Sequence, residues 1–384
     1  MGSSAVDLGT LLEDPELLRE DILHRVCASI QLTSTQRERA ETAYRGVGRW
    51  LDAEGSPFAA LGPTIYPQGS MALRTTNRPL AQDEHDLDIV VELDSDGRYG
   101  KSVDLLDDTR DWLLEHREYA SKVDKEDRRC CVRLNYAGNF HLDIVPAFRD
   151  VSQAGTIWVP DRPSGGFERG NPKGYVAWFE EQCRIEVARV LLKSVESLPD
   201  YDAPEIELPL RRSAQLLKRW RDVVFQDCAD AAPSSILLTT LAGNHYGNES
   251  SIGAAVSGIL DRLLIQVKSN PGPLDVRNPI YSPERLSEPW IEDEGAYVLF
   301  VTKLRKFASQ WESLATTSGL HNLSALLEDL FGEAATRSAL TGHQEALVNA
   351  PRRRGELAFV PGAATVTSSG IGRRGTPGNT FFGG

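Results

Sequence analysis

YPQGSMALRTTNRPLAQDEHDLDIVVEL, residues 66–93, is the stretch that decides the fold. Gly69 and Ser70 make a small, sterically open turn whose backbone N–H groups and hydroxyl suit a phosphate. The apolar run LDIVVEL, bounded by the turn residues Asp94–Gly97, reads as a strand. Side chains alternate along a strand, so Asp86 and Asp88 leave one face while Leu87 and Ile89 point to the core. Downstream, RRCCVRLNY (128–136) and FHLDIVPAF (140–148) read as a β-hairpin turning at Ala137–Asn139, with Asp143 in the middle of its second strand. Three carboxylates on strands of one sheet are what a two-metal phosphoryl-transfer site requires. Hard cations such as Mg²⁺ take oxygen ligands, and a pair about 3.5–4 Å apart activates an attacking hydroxyl and neutralises a triphosphate. A lone Asp-x-Asp is more often a solvated strand edge; the upstream Gly-Ser and the downstream Asp143 favour a site. His85 and His141 adjoin these acids and are expected to pack or hydrogen-bond locally, since imidazole is a poor Mg²⁺ ligand.

Outward from this stretch, residues 35–52 carry Ala40, Tyr44, Val47 and Leu51 at helical spacing, with Thr35 and Glu38 read as a capping box. From about 174 a helical period returns in several pieces, the last placing Phe300, Leu304, Phe307 and Trp311 on one buried stripe. Beyond Pro361 the chain is rich in Gly, Ser and Thr, holds two Arg and no acid, and reads as a flexible tail ending FFGG. The 384 residues balance 42 Lys+Arg against 55 Asp+Glu, a formal charge of −13 that disfavours a general grip on duplex nucleic acid. Five scattered cysteines without a C-x-x-C pair fit free thiols in a reducing cytosol. Cys130 and Cys131 read as strand residues on opposite faces, packing rather than bridging. No secretory signal or long apolar span is legible, so a cytoplasmic chain without a membrane partner is expected.

Gly-Ser, then D-x-D, then a third strand Asp resembles the signature of the DNA-polymerase-β-like nucleotidyltransferases. NPKGYVAWF (171–179), PLRRSAQLLKRWRDVVF (209–225), PSSILLTTLAG (233–243) and DVRNPIYSPERLSEPW (275–290) narrow the resemblance to the bacterial cGAS/DncV-like nucleotidyltransferases of anti-phage signalling. It covers roughly residues 30–345. It implies an α+β fold: a polymerase-β-like palm, a mixed sheet flanked by helices, with a helical second lobe and the active site between them. The expected units are an N-terminal segment (1–34), the long helix with the palm (35–170), the helical lobe (171–345) and a C-terminal extension with its tail (346–384). The implied activity joins nucleoside triphosphates, ATP, GTP or pyrimidine, into a cyclic di- or trinucleotide second messenger, releasing pyrophosphate.

On that resemblance Asp86, Asp88 and Asp143 match the catalytic metal ligands for two Mg²⁺ ions, with Mn²⁺ as a substitute. Gly69 and Ser70 match the donor-phosphate loop, with Gln68, Arg74 and Thr76 as further loop candidates. Lys218 matches a triphosphate-binding lysine and Ser235 a phosphate-contacting serine. Read from the residues alone, Arg211, Lys218 and Arg221 fall near one helix face, which either serves a triphosphate or is merely solvated. The tail resembles those conjugated through the C-terminal residue by ubiquitin-ligase-like enzymes, which makes Gly384 the expected conjugation site. Direct activation by DNA is not expected, because the chain lacks the zinc-binding insertion and basic platform of the animal DNA sensor. Two other readings stand beside this one: nucleotidyl transfer to an antibiotic, protein or RNA end, and a catalytically silent nucleotide-binding scaffold.

Overall fold

The computed structural model describes residues 15–80, 84–94, 101–138, 140–191, 208–317 and 319–353, with the pairs 358–359, 366–367 and 374–375. In chain order the elements begin with helices α1 (Pro15–Ser29) and α2 (Ser34–Leu51), strand β1 (Thr64–Pro67), the short helix α3 (Gly69–Leu73), strand β2 (His85–Leu93) and helix α4 (Ser102–Glu115). Strands β3 (Val132–Tyr136), β4 (Phe140–Arg149), β5 (Ile157–Asp161) and β6 (Gly166–Gly170) complete the sheet. Among the described residues, the α-helices α5 to α12 follow: Pro172–Leu191, Pro209–Val224, Ser235–His245, Ile252–Ser269, Glu288–Glu292, Glu294–Thr316, Leu320–Phe331 and Glu333–Arg353.

The sheet runs β1-β2-β4-β5-β6, and β3 pairs with the first half of β4. Among the described strands only β2 and β4 pair in parallel, and their register sets Asp88 opposite Asp143. Alternation then sorts the faces. Leu87, Ile89, Leu142 and Ile144 go into a core with Val47 and Leu51 of α2 and Leu105 and Leu106 of α4. Asp86, Asp88 and Asp143 are left on the opposite face. Each fully buried apolar side chain contributes roughly 1.5–3 kcal/mol, so the core side holds the acid-bearing side in register. A one-residue slip would bury the acids and expose the leucines.

A second core builds the helical lobe, and Phe300, Leu304, Phe307 and Trp311 of α10 are all buried in it. Trp220 of α6 stacks on Phe307 at a centroid distance of 4.9 Å. Helices α5 and α7 approach so closely that a Cβ on Gly243 would lie 2.5 Å from the Trp178 ring. Helix α1 joins this lobe: Ile22, Leu23, Val26 and Cys27 are buried, and the Glu20 carboxylate accepts the N–H groups of Ile252 (2.6 Å) and Gly253 (2.9 Å) at the start of α8. Among the described residues, no helix is long and apolar enough to cross a membrane.

Several local expectations are corrected. The capping box of α2 is Thr33 with Gln36, not Thr35 with Glu38. Both pairs satisfy the S/T-x-x-E/Q pattern, and the buried Leu32 fixes the earlier start. Strand β3 begins at Val132, so Cys130 and Cys131 precede it, both free and partly buried, rather than lying on opposite faces of a sheet. In the tail, Val366–Thr367 and Arg374–Gly375 pair with Ala358–Phe359 as a small three-stranded sheet, where no structure was expected. Phe381–Gly384, with the expected conjugation site, lie outside the described residues.

Candidate active site

At the end of β1 the chain turns into α3, and Gln68 N–H donates to the Asp88 carbonyl at 2.9 Å. This ties the Gly-Ser turn directly to the acid-bearing strand. Gly69 has φ +59°, and a Cβ there would lie 2.5 Å from Asp88 Oδ2. Glycine is therefore required twice, for the left-handed backbone and for the room taken by the carboxylate. Ser70 Oγ lies 3.0 Å from Thr76 Oγ1, which holds the hydroxyl at the mouth of the loop.

Asp88 is flanked by Asp143 on β4 and by Asp86 two residues earlier. Burial first, then the repulsion of Asp143 and of Asp86, pushes its carboxyl up to about 7. Arg133 of β3 partly offsets this charge. Its Nε and Nη2 donate to the two oxygens of Asp143 at 2.6 and 2.7 Å, and Nη2 also reaches Asp86 Oδ1 at 3.2 Å. The Asp143 hydrogen bonds, opposed in part by burial, drive the Arg133 guanidinium above its ordinary range. Among the described residues no group of three His, Cys, Asp or Glu side chains is gathered for a metal ion. The carboxylates share a face, and two of them are directed at Arg133.

Helix α6 crosses the other wall. Its basic residues do not form one solvated face: Arg212, Lys218 and Arg219 are all buried. Arg212 donates to Gln215 Oε1 (2.9 Å), Arg219 to the Arg78 carbonyl, and Lys218 Nζ to Thr75 Oγ1 (3.2 Å). Asn77 Nδ2 donates to the Gln215 carbonyl (2.8 Å) and Gln215 Nε2 to the Thr76 carbonyl (3.2 Å), so α6 and the loop after the Gly-Ser turn form one unit. Burial, with Arg221 adding repulsion, brings the Lys218 ammonium down to about 7. Ser234 caps α7, and beside it Ser235 Oγ accepts from Arg221 Nη2 at 3.2 Å. A helix N-terminus, two serines and an arginine thus face one space.

Gln68, Gly69, Ser70, Asp86, Asp88, Asp143, Lys218 and Ser235 all line a single cleft of about 1110 Å³, with Thr76 and Arg221 beside them. Arg211 lies instead near Glu180 of α5, 3.8 Å away. His85 is buried against Phe140, and His141 engages Asn135 and Glu84, the packing and bonding roles expected of them. Three contributors were not singled out from the sequence. Arg133 is legible from the hairpin, because a turn at 137–139 with Tyr136 opposite Phe140 puts 133 opposite 143. Asn278 and Glu284, bonded to each other at 2.8 Å on the far wall, come from a loop with no periodicity to reveal them.

A model of the Second Messenger Oligonucleotide or Dinucleotide Synthetase (SMODS) domain matches residues 19–183. The chain is 30% identical over 345 residues to a c-di-GMP synthase of Roseivirga ehrenbergii, covering 88% of this chain and 90% of that one. It is 27% identical over 356 residues to the cyclic dinucleotide synthase CdnG of Bradyrhizobium diazoefficiens, covering 84% and 83%. Among solved structures, B. diazoefficiens CdnG in complex with GTP superimposes with a TM-score of 0.69 at 23% identity, over 85% of this chain and 99% of that one. The apo form of Vibrio cholerae DncV gives 0.56 at 17% identity, over 87% and 91%.

Proposed function

This chain belongs to the bacterial cGAS/DncV-like nucleotidyltransferases and makes cyclic oligonucleotides, and from that premise we propose that it builds a guanine-containing cyclic dinucleotide by two in-line transfers in one cleft. The observation that carries the reading is the shared face of Asp86, Asp88 and Asp143 opposite the Gly69–Ser70 turn and Lys218. Guanine is favoured because the two relatives are a c-di-GMP synthase and CdnG, the latter solved with GTP. Glu284, on the far wall, is a carboxylate able to accept both the N1–H and the N2–H of that base.

The donor set fits two divalent cations. Asp86 and Asp143 crowd Asp88 and oppose its ionisation, a repulsion that an entering cation would relieve, and carboxylate oxygens are the ligands that Mg²⁺ or Mn²⁺ prefers. Asp86, Asp88 and Asp143 would hold such ions, which would supply Lewis-acid stabilisation of the phosphoryl oxygens and of the leaving pyrophosphate. The chain's own residues do the rest. The Gly69–Ser70 turn and the α7 N-terminus orient the triphosphate of the donor, and Lys218 places a charge on its outer phosphates. An Asp143 carboxylate oxygen accepts the proton of the attacking ribose hydroxyl. A new bond forms to the α-phosphorus as its bond to the bridging oxygen breaks. The linear product turns round in the same cleft and is attacked again, which closes the ring.

Lys218→Met is expected to raise KM for the triphosphate about tenfold or more while stabilising the nucleotide-free protein. The folded-state pKa of Lys218 lies near 7 against an ordinary 10.5. The unfolded chain therefore binds more protons through that window, and wild-type stability rises as pH climbs from about 7 to 10.5. Thermal melts at pH 7 and pH 10 check this: the gain from Met is larger at pH 7, and the rise with pH is flatter in the variant.

The function test incubates the protein with labelled GTP, alone and with the other triphosphates, and Mg²⁺ or Mn²⁺, followed by phosphatase. A resistant product from GTP alone supports the reading. A product formed only when RNA or an antibiotic is added supports transfer to an external acceptor, and intact nucleotide binding without product supports a scaffold. The proposal extends to anti-phage signalling and to priming by conjugation of Gly384, both on the family resemblance. Deleting Phe381–Gly384 is then expected to leave synthesis by the purified protein unchanged and to remove a tail-linked species in cells. Signalling that survives the deletion, with no tail-linked species formed by the undeleted chain either, would contradict it.

A further inference from the structure

We propose that Arg133 is a built-in counter-ion that holds the carboxylate cluster in its cation-free state and is displaced from Asp143 when a divalent cation enters. The inference rests on the reading of Asp86, Asp88 and Asp143 as the cation ligands, and goes beyond it in making cation entry an exchange. Strand register creates the arrangement. Asp88 pairs with Asp143 across β2–β4, and Asp143 pairs with Arg133 across β4–β3, so all three project from one face in a row. On either side of Arg133, Val132 and Leu134 are buried in the opposite core, which leaves the arginine no other face to take.

The guanidinium meets Asp143 as a fork, 2.6 and 2.7 Å to its two oxygens, and shares Nη2 with Asp86 at 3.2 Å. The side chains of Arg133 and Asp143 are only 17% and 13% exposed, so solvent screens this pair weakly. Asp86, at 59%, is the open side of the cluster. One guanidinium among three carboxylates leaves the group anionic and still attractive to a cation. A cation bound by Asp143 would nevertheless face a positive group at hydrogen-bonding distance from its own ligand. The two cannot both be satisfied, and the arginine, on a long flexible stem, is the partner able to move.

Nothing about this arrangement needs nucleotide. The exchange therefore belongs to the resting protein and sets how much divalent cation is required before substrate arrives. It also explains why the carboxylates stay in place without a cation. Carboxylates crowded on two neighbouring strands repel one another, and the fork holds Asp143, whose side chain is far less exposed than that of Asp86.

The test is Mn²⁺ binding, read from the EPR signal of the free ion, in the full chain without nucleotide. Arg133→Gln keeps a hydrogen-bonding side chain without the charge and is expected to bind Mn²⁺ about tenfold more tightly than the wild type. Arg133→Lys, which keeps the charge and loses the fork, falls between. Without cation, the Gln variant is expected to melt below the wild type, and saturating Mn²⁺ narrows the gap. If Arg133→Gln does not fold, Arg133→Lys decides alone: tighter binding than wild type supports the exchange. Unchanged or weaker binding in the folded variants overturns it. Asp88→Asn separates this from the underlying reading. Mn²⁺ binding that is lost in Asp88→Asn but not tightened by Arg133→Gln sinks the exchange alone. Binding that is absent from the wild type, or indifferent to Asp88→Asn, sinks the cation site and the exchange with it.

Discussion

Asp88→Asn and Asp143→Asn are each expected to slow pyrophosphate release from nucleoside triphosphates by about a thousandfold or more. Lewis-acid stabilisation of a phosphoryl transition state supplies several kcal/mol, and about 4 kcal/mol corresponds to a factor near a thousand. An amide keeps the shape of the carboxylate and removes its charge, so the loss reports chemistry and not packing. The two variants differ in what they do to the resting fold. Asp88 sits between two other acids with its carboxyl at about 7 rather than 3.8. The folded state thus binds the extra proton between those values, and this contribution to stability is present at low pH and lost as pH rises through 7. Asp88→Asn removes that loss and is expected to melt above the wild type at pH 8 in the absence of divalent cation. Asp143→Asn breaks the fork to Arg133 and is expected to melt below it. A protein inactive yet more stable in one variant, and inactive and less stable in the other, is hard to obtain from a general packing defect.

Gly69→Ala is expected to lower the turnover of the folded enzyme by about a hundredfold, the scale of a displacement near 1 Å at reacting groups. The added methyl meets Asp88 Oδ2 at 2.5 Å, and φ is +59°. Either the turn or the carboxylate must move, and the two are joined by the 2.9 Å bond from Gln68 N–H to the Asp88 carbonyl. Strain at a left-handed non-glycine residue costs about 1–3 kcal/mol, so a fall in melting temperature accompanies the kinetic loss. Ser70→Ala is the control. It removes the hydroxyl and its 3.0 Å bond to Thr76 Oγ1 but adds no atom to the turn, and is expected to weaken triphosphate binding with a smaller fall in the melt than Gly69→Ala.

The parts of the site legible in the sequence are those set by short-range rules. Alternation along LDIVVEL and HLDIVPAF put Asp86, Asp88 and Asp143 on the face away from the core, because Leu87, Ile89, Leu142 and Ile144 had to be buried. The glycine of the turn was legible as a need for space, though not that the space is filled by Asp88. Pairings across the chain were harder. Helix α6 carries basic residues all round, and its pattern suggests a wet face. The loop at 75–78 and the neighbouring helices cover it, and Arg212, Lys218 and Arg219 each find a local acceptor. Strands β5 and β6 lacked a clear alternation. Helix α1 was hidden by its charges, several of which are paired, as Asp21 is with Arg25 and His343. Arg133 was within reach, since the hairpin turn fixes its partner, but a strand arginine attracts no notice until the acid opposite it has a role.

One cleft is assigned both transfers, and the measurement that bears on this most directly supplies the linear guanine dinucleotide triphosphate, made chemically, in place of GTP. Wild type is expected to close it to a phosphatase-resistant ring with release of pyrophosphate, and Asp88→Asn to lose ring closure and first transfer together. Ring closure that persists in Asp88→Asn while the first transfer is abolished would contradict the assignment and place the second step elsewhere.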